Sequence, residues 1–306
     1  MNLSQDVRRV ANRLPHQPAI TSEAETISYA QLEARVGSIA GGLRGRLGLA
    51  RGSRVGIAME NCGEYLQVLY GIWRAGLVAV PMNVRLHEKE IAFILANAGC
   101  AACFCTPEVA NRIAALATFA PGQPGILCTE TREYAALLAS EPIGEAFSRA
   151  DEEAWLFYTS GTTGRPKGAV LSFRNLQFMS HCYYADIDHL DDRDVKLHAA
   201  PLSHGSGLYA LPHIAKGAHH IIMSGSFEPD RIYDVLAKTQ NVTMFGAPTM
   251  VSRLINHRRA GSSDTSGLRT LYFGGAPMYV SDLKRADVPG NHLFDESILG
   301  IRAGEE

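Results

Sequence analysis

The chain has 306 residues, 46% of them hydrophobic, enough for one large domain or two ordinary ones with a sizeable core. Its 29 Lys and Arg nearly balance 31 Asp and Glu, so no basic field points to nucleic acid or an anionic membrane surface, and a small-molecule partner gains weight. The N-terminus lacks an apolar core of signal-peptide length, and the greasiest run, VLYGIWRAGLVAVPM from Val68, is cut by Arg74, which excludes a membrane span and predicts a cytosolic protein.

Ser28-Tyr29-Ala30-Gln31 is a capping-box pattern followed by Leu32, Val36, Ile39 and Leu43 at helical spacing, which predicts a helix of about four turns. GSRVGIAME then reads as a strand, EYLQVLYGIWRAG as a helix ending at Gly76, LVAVPMN as a strand, HEKEIAFILANAG as a helix and CAACFCT as a strand. Six cysteines without a secretory signal read as reduced thiols. Cys100, Cys103 and Cys105 invite a metal, but they alternate like a buried strand and lack a second cluster to complete a tetrahedral site.

After a glycine-rich loop the pattern resumes. GAHHIIMSG and NVTMFGAPT read as strands, PDRIYDVLAKTQ and APTMVSRLINHRRA as helices, and SGLRTLYFGGAPM follows a surface turn, GSSDTSG. His219 and His220 read as strand residues. Strands alternating with helices predict an α/β fold: mainly parallel sheet flanked by helices, in two lobes at about 1–175 and 176–306.

The segment between the lobes, WLFYTSGTTGRPKGAVLSFRN from Trp155, is poor material for a packed element. Glycines free backbone amides to converge on phosphate oxygens, hydroxyls add donors and Lys167 adds a point charge, as a polyphosphate-binding loop requires. The spacing is not that of a Walker A loop, because Lys167 follows Pro166 and precedes Gly168; a kinase-like loop fails too. No G-x-S-x-G occurs, which removes the nucleophile elbow of a serine hydrolase. GSGLYA from Gly205 matches G-x-G-x-x-A, but no strand runs straight into it as a dinucleotide site requires.

The whole string YTSGTTGRPKG resembles the phosphate loop of the AMP-forming adenylating enzymes, which include acyl-CoA synthetases, nonribosomal peptide adenylation domains and firefly-type luciferases. ISYAQLEARVGSIAGGL, NCGEYLQVLYGIWRAGLVAVPMNVRLHEKEI, AAPLSHGSGLY, FGAPTM and YFGGAPM resemble further segments of that superfamily in its order, from about Gln17 to Met278. The resemblance implies the large N-terminal domain of the acyl-adenylate-forming type. It also implies attack of a carboxylate on the α-phosphate of ATP with Mg²⁺, then transfer of the acyl group to a thiol, usually coenzyme A. Thr159, Ser160, Gly161, Thr162, Thr163, Gly164 and Lys167 would bind the phosphates, with Gly168 also admitting the backbone, and Gly274, Gly275, Ala276 and Pro277 would form the adenine shelf. His204 would line the passage of carboxylate and thiol, an uninvolved loop histidine being the alternative. Phe245 and Met250 would line an acyl pocket or be plain core, and no residue is assigned as a metal ligand.

YGIWRAGLVAVPMNVRL and the lack of a neighbouring carrier domain favour an acid–CoA ligase over a peptide-synthetase adenylation domain by resemblance. Fatty and aromatic acids remain open, as do a homodimer and a complementing partner chain. After Met278 the resemblance stops: the tail YVSDLKRADVPGNHLFDESILGIRAGEE has no Tyr-Gly-x-Thr-Glu, ribose-binding Asp, hinge, or C-terminal lid domain with its Lys. Each missing charge-assisted contact is worth roughly 1.5–3 kcal/mol, and an open cleft admits water, so adenylation by this chain alone is expected to be severely impaired. The tail after roughly Ala286 reads as a truncation, a frame change or a natural short form needing a second polypeptide. The expectations are therefore a working ligase, a non-catalytic nucleotide-binding remnant, or half of a split enzyme.

Overall fold

The computed structural model describes residues 2–114, 125–159, 166–286 and 292–295. Helix α1 (Ser4–Arg13) leads into a hairpin of β1 (Pro18–Thr21) and β2 (Thr26–Ser28). Ser28 then caps α2 (Tyr29–Gly41): its Oγ accepts from the Gln31 N–H at 3.3 Å, and Gln31 Oε1 accepts from the Ser28 N–H at 2.8 Å. A π-helical turn, Gly42–Arg46, extends the helix. The next five elements fall where the sequence puts them: β3 (Arg54–Ala58), α3 (Glu64–Arg74), β4 (Val78–Pro81), α4 (Glu88–Ala98) and β5 (Cys100–Cys105). Helix α4 stops at Gly99, whose φ of +63° favours a residue without Cβ.

Helix α5 (Pro107–Ala114), β6 (Gly125–Cys128), α6 (Arg132–Leu138), β7 (Glu153–Thr159) and β8 (Lys167–Ser172) complete the first sheet. Its order is β6-β5-β3-β4-β7-β8, parallel except for the antiparallel pair β7–β8. Ser172 then caps α7 (Phe173–Cys182), and a second π-helical turn covers Tyr183–Ile187.

The remaining elements are β9 (Val195–His198), α8 (Gly205–Leu208), α9 (Ala210–Lys216), β10 (His219–Ile222), α10 (Pro229–Leu236), β11 (Val242–Gly246), α11 (Pro248–Ile255), β12 (Leu268–Phe273), α12 (Val280–Ala286) and β13 (His292–Asp295). They form a second sheet ordered β13-β12-β11-β9-β10-β1-β2, parallel except for the hairpin β1–β2. The expected lobes at about 1–175 and 176–306 therefore do not separate the sheets. Ile20 pairs with His220 and the buried Tyr29 hydroxyl donates to Ala218 O at 2.6 Å, so the N-terminal hairpin covers the edge that β10 would otherwise expose. Helix α11 is shorter than its sequence suggests. Asn256 folds its amide back onto Ser252 O at 2.8 Å, and Arg259 beyond it turns to Asp234 at 2.8 Å.

The first sheet's core is built on α2, α3 and the aromatics Trp73, Trp155, Tyr65 and Tyr70. Trp73 Nε1 donates to Ala154 O at 2.7 Å, so the large ring keeps its polar atom satisfied. Arg74, which interrupts the greasy run, is 1% exposed; Glu33 takes its guanidinium at 2.6 and 2.7 Å. Cys100, Cys103 and Cys105 are buried free thiols on β5, with 3.7 Å between the Cys103 and Cys105 sulfurs, and burial pushes the Cys100 thiol up to about 12.

Candidate active site

Strands β7 and β8 carry the glycine-rich loop between them. Their register sets Thr159 opposite Lys167 and Tyr158 opposite Gly168, so Thr159 and Lys167 stand together at the loop's root, both exposed. Ser160, Gly161, Thr162, Thr163 and Gly164 lie outside the described residues. Gly168 has a reason of its own to be glycine: a Cβ there would come 2.9 Å from a carbon of the Tyr158 ring, whose hydroxyl donates to Asn97 Oδ1 at 2.7 Å. The sheet alone thus demands glycine at that position.

His204 sits immediately before α8, at the end of the segment that leaves β9. Its Nδ1 lies 2.9 Å from Ser203 Oγ, and its ring meets Phe157 of β7 edge-on at 5.4 Å. Burial lowers its pKa from the ordinary histidine value, so the imidazole is neutral at neutral pH. The glycines of GSG are packing glycines. A Cβ on Gly207 would lie 1.9 Å from Leu202 O, and one on Gly205 would lie 2.6 Å from the Phe245 ring. Asn61, which sequence reasoning missed, reaches the same segment from the β3–α3 connection, accepting from the Leu202 N–H at 2.9 Å and donating to Ala200 O at 3.0 Å.

Phe245 on β11 is buried among Tyr183, Tyr209 and Tyr272, with Tyr209 and Tyr272 centroids 5.9 and 5.8 Å away. Met250 on α11 is half-buried against this cluster and also lines an open groove of about 440 Å³. That groove runs between the C-terminal ends of the two sheets, with Asn61 and Arg85 on one wall and Ser203 and Arg253 on the other. Gly274, Gly275, Ala276 and Pro277 follow β12; Gly275 has φ +88° and open space where a Cβ would stand, and Ala276 and Pro277 are exposed.

Beneath α8 lies a buried polar chain that the sequence did not announce. His198 Nδ1 is 2.8 Å from Ser206 Oγ and its Nε2 is 2.9 Å from His220 Nδ1, while His213 Nε2 is 2.6 Å from Thr243 Oγ1. Desolvation holds all three histidines well below the ordinary value and hence neutral. A separate cleft of about 510 Å³ between α1, α7 and α9 is lined by Arg9, Arg13 and Lys216, but these cations already hold Asp6, α9 carbonyls and the Tyr184 ring.

Among the described residues no group of three or more His, Cys, Asp or Glu could hold a metal ion. Among the described residues no helix is long and apolar enough to cross a membrane.

Comparison with known proteins places this geometry. Feruloyl-CoA synthase from an Amycolatopsis species is 35% identical over 284 residues, 89% of this chain and 54% of that protein. The long-chain-fatty-acid–CoA ligase FadD13 of Mycobacterium tuberculosis is 29% identical over 259 residues, 82% of this chain and 50% of that one. The inhibitor-bound N-terminal domain of FACL13 from the same organism matches with a TM-score of 0.84 at 25% identity, covering 93% of this chain and 72% of that one. ATP-bound MatB from Rhodopseudomonas palustris matches at 0.81 and 30% identity, covering 94% and 57%. The chain spans about half the length of the curated relatives it matches. The model of the AMP-binding enzymes matches residues 7–293, and the chain, with its glycine-rich loop on β7–β8 and His204 beside that hairpin, belongs to this family.

Proposed function

We propose that the protein belongs to an AMP-forming acid–CoA ligase, in which ATP activates a carboxylic acid as its adenylate and the acyl group then passes to coenzyme A. The observation that carries this reading is the 5.4 Å contact between Phe157 and His204. It sets the strand that bears the phosphate loop against the turn that bears the histidine. A carboxylate beside His204 and a triphosphate held at Thr159 and Lys167 would then share one space.

The residues act by placement and by charge. Lys167 and the hydroxyls of Thr159, Ser160, Thr162 and Thr163 would neutralise charge building on the departing pyrophosphate. His204, kept neutral by burial, can donate one hydrogen bond to the carboxylate without competing as a cation for the phosphates. Gly275, with nothing above it, offers backbone to a flat base, alongside Gly274, Ala276 and Pro277. Arg85 in the open groove suits a phosphate of the incoming coenzyme. Mg²⁺ would arrive on ATP and shield its oxygens.

Of the two acid classes, the 35% identity to feruloyl-CoA synthase, against 29% to the long-chain-fatty-acid–CoA ligase FadD13, favours an aromatic acid. The test is acid-dependent pyrophosphate release by the purified chain with Mg²⁺ and ATP, comparing ferulate with palmitate and wild type with Lys167→Ala and Thr163→Ala. Release with ferulate, reduced roughly 10- to 100-fold in Lys167→Ala by loss of a charge-assisted contact, supports the proposal. Calorimetry showing no ATP binding to the wild type would overturn it. ATP binding without release identifies a nucleotide-binding fragment of the ligase.

A further inference from the structure

We propose that Asn61 is a positioning residue: it holds the β9–α8 turn, and with it His204, in the frame of the first sheet instead of the sheet to which His204 belongs by chain. Asn61 lies after β3. Its carboxamide accepts from the Leu202 N–H at 2.9 Å and donates to Ala200 O at 3.0 Å, with His198 O at 3.4 Å. These groups flank Pro201, which has no N–H and cannot extend the β9 ladder. Ala200 and Leu202 are both buried, so without Asn61 a main-chain donor and an acceptor would lose their partner away from water.

The turn transmits this hold directly. The His204 N–H donates to Pro201 O at 3.2 Å, closing a turn whose start Asn61 fixes. The opposite side of the His204 ring environment is supplied by Phe157, again from the first sheet. Two contacts from β3 and β7 therefore govern where the histidine stands, and β7 is the strand that carries Thr159 into the phosphate loop. If the two sheets shift relative to one another, His204 stays with the loop.

The kinetic consequence rests on the adenylation reading; the placement itself does not. The experiment compares wild type, Asn61→Ala and Asn61→Asp in the full chain by amide hydrogen exchange, NMR titration of His204 and acid-dependent pyrophosphate release. In Asn61→Ala the Leu202 amide should exchange about 10-fold faster while Phe245 on β11 is unchanged, the loss of one buried hydrogen bond. The His204 pKa should rise toward the ordinary value as its burial loosens, and kcat should fall about 10-fold with KM for ATP within about 2-fold. Asn61→Asp keeps the acceptor for Leu202 and loses the donor to Ala200, so it should retain Leu202 protection and still lose kcat. Unchanged Leu202 exchange and His204 titration overturn the proposal, as does faster exchange spread equally over β3 and β11. A wild type that binds ATP but releases no pyrophosphate is the nucleotide-binding fragment of the ligase, one that binds no ATP sinks the adenylation reading, and in both cases exchange and titration decide the placement of His204.

Discussion

In the first sheet β3, β4 and β5 bury Val55, Ile57, Val80, Cys103 and Phe104, and the buried cation beside them, Arg74, meets a matched carboxylate. In the second sheet one face is equally apolar, with Leu197, Met244, Leu271 and Phe273, but the other buries Lys196, His198, His220, Thr243 and Thr270. Those groups bond among themselves and to covering helices: Lys196 to the Tyr272 hydroxyl, His198 to Ser206, Thr270 to Asp188. The contrast teaches that burial and hydrophobicity part company beside a site. A buried polar wall is stabilised by directed bonds, whose strength depends on protonation state as apolar packing does not.

The largest predicted effect exploits that difference through pH. His198, His213 and His220 have folded pKa values below the ordinary 6.5 or so of the unfolded chain, so the unfolded state binds more protons as pH falls. Their contribution is therefore intact above about pH 6.5 and is lost progressively below it, toward the folded values. Urea unfolding should show lower stability at pH 5.5 than at pH 7.5, by at most about 1.4 kcal/mol per histidine, the limit set by full protonation of the unfolded chain over one pH unit. A His198→Asn variant should show a shallower slope, and a wild-type stability that does not change across this interval would erase the distinction between the sheets.

Next in size is the buried charge of the first sheet. Glu33→Ala strips the bidentate partner from a guanidinium that is 1% exposed and should cost about 3 kcal/mol in denaturant unfolding, with little restored by salt. Gly168→Ala should cost about 1–2 kcal/mol, because the new Cβ meets the Tyr158 ring, and a second-site Tyr158→Leu should recover part of the loss. Smallest is Ser28→Ala, which removes one half of the capping box of α2 and should cost about 1 kcal/mol by thermal or chemical unfolding.

The same contrast governs what could be read in the sequence. Strands β3 and β5 and helix α3 bury nearly every residue, so their runs of Val, Ile, Cys and aromatic residues stood out, and Ser28 with Gln31 marked a helix start correctly. Strand β9 did not stand out. Val195-Lys196-Leu197-His198 alternates like a half-solvated edge, yet all four residues are buried. The string YTSGTTGRPKG pointed to the family because its distinctive residues are concentrated in one place. Asn61 was invisible for the opposite reason: it is a single amide in an ordinary connection, and its partners lie some 140 residues away. Gly168 was legible as a position that needs a missing side chain, and the cross-strand Tyr158 ring makes that demand in the fold.

The N-terminal hairpin has a consequence for how the protein is made. Strand β1 leaves the ribosome about two hundred residues before its neighbour β10, since Ile20 pairs with His220. The first sheet draws all its strands from one continuous stretch ending at Ser172 and can assemble while synthesis continues. The second sheet joins its two ends across that finished body, which raises the contact order and slows its closure. During translation the hairpin thus waits with its edge unmatched until the strand that completes it has emerged.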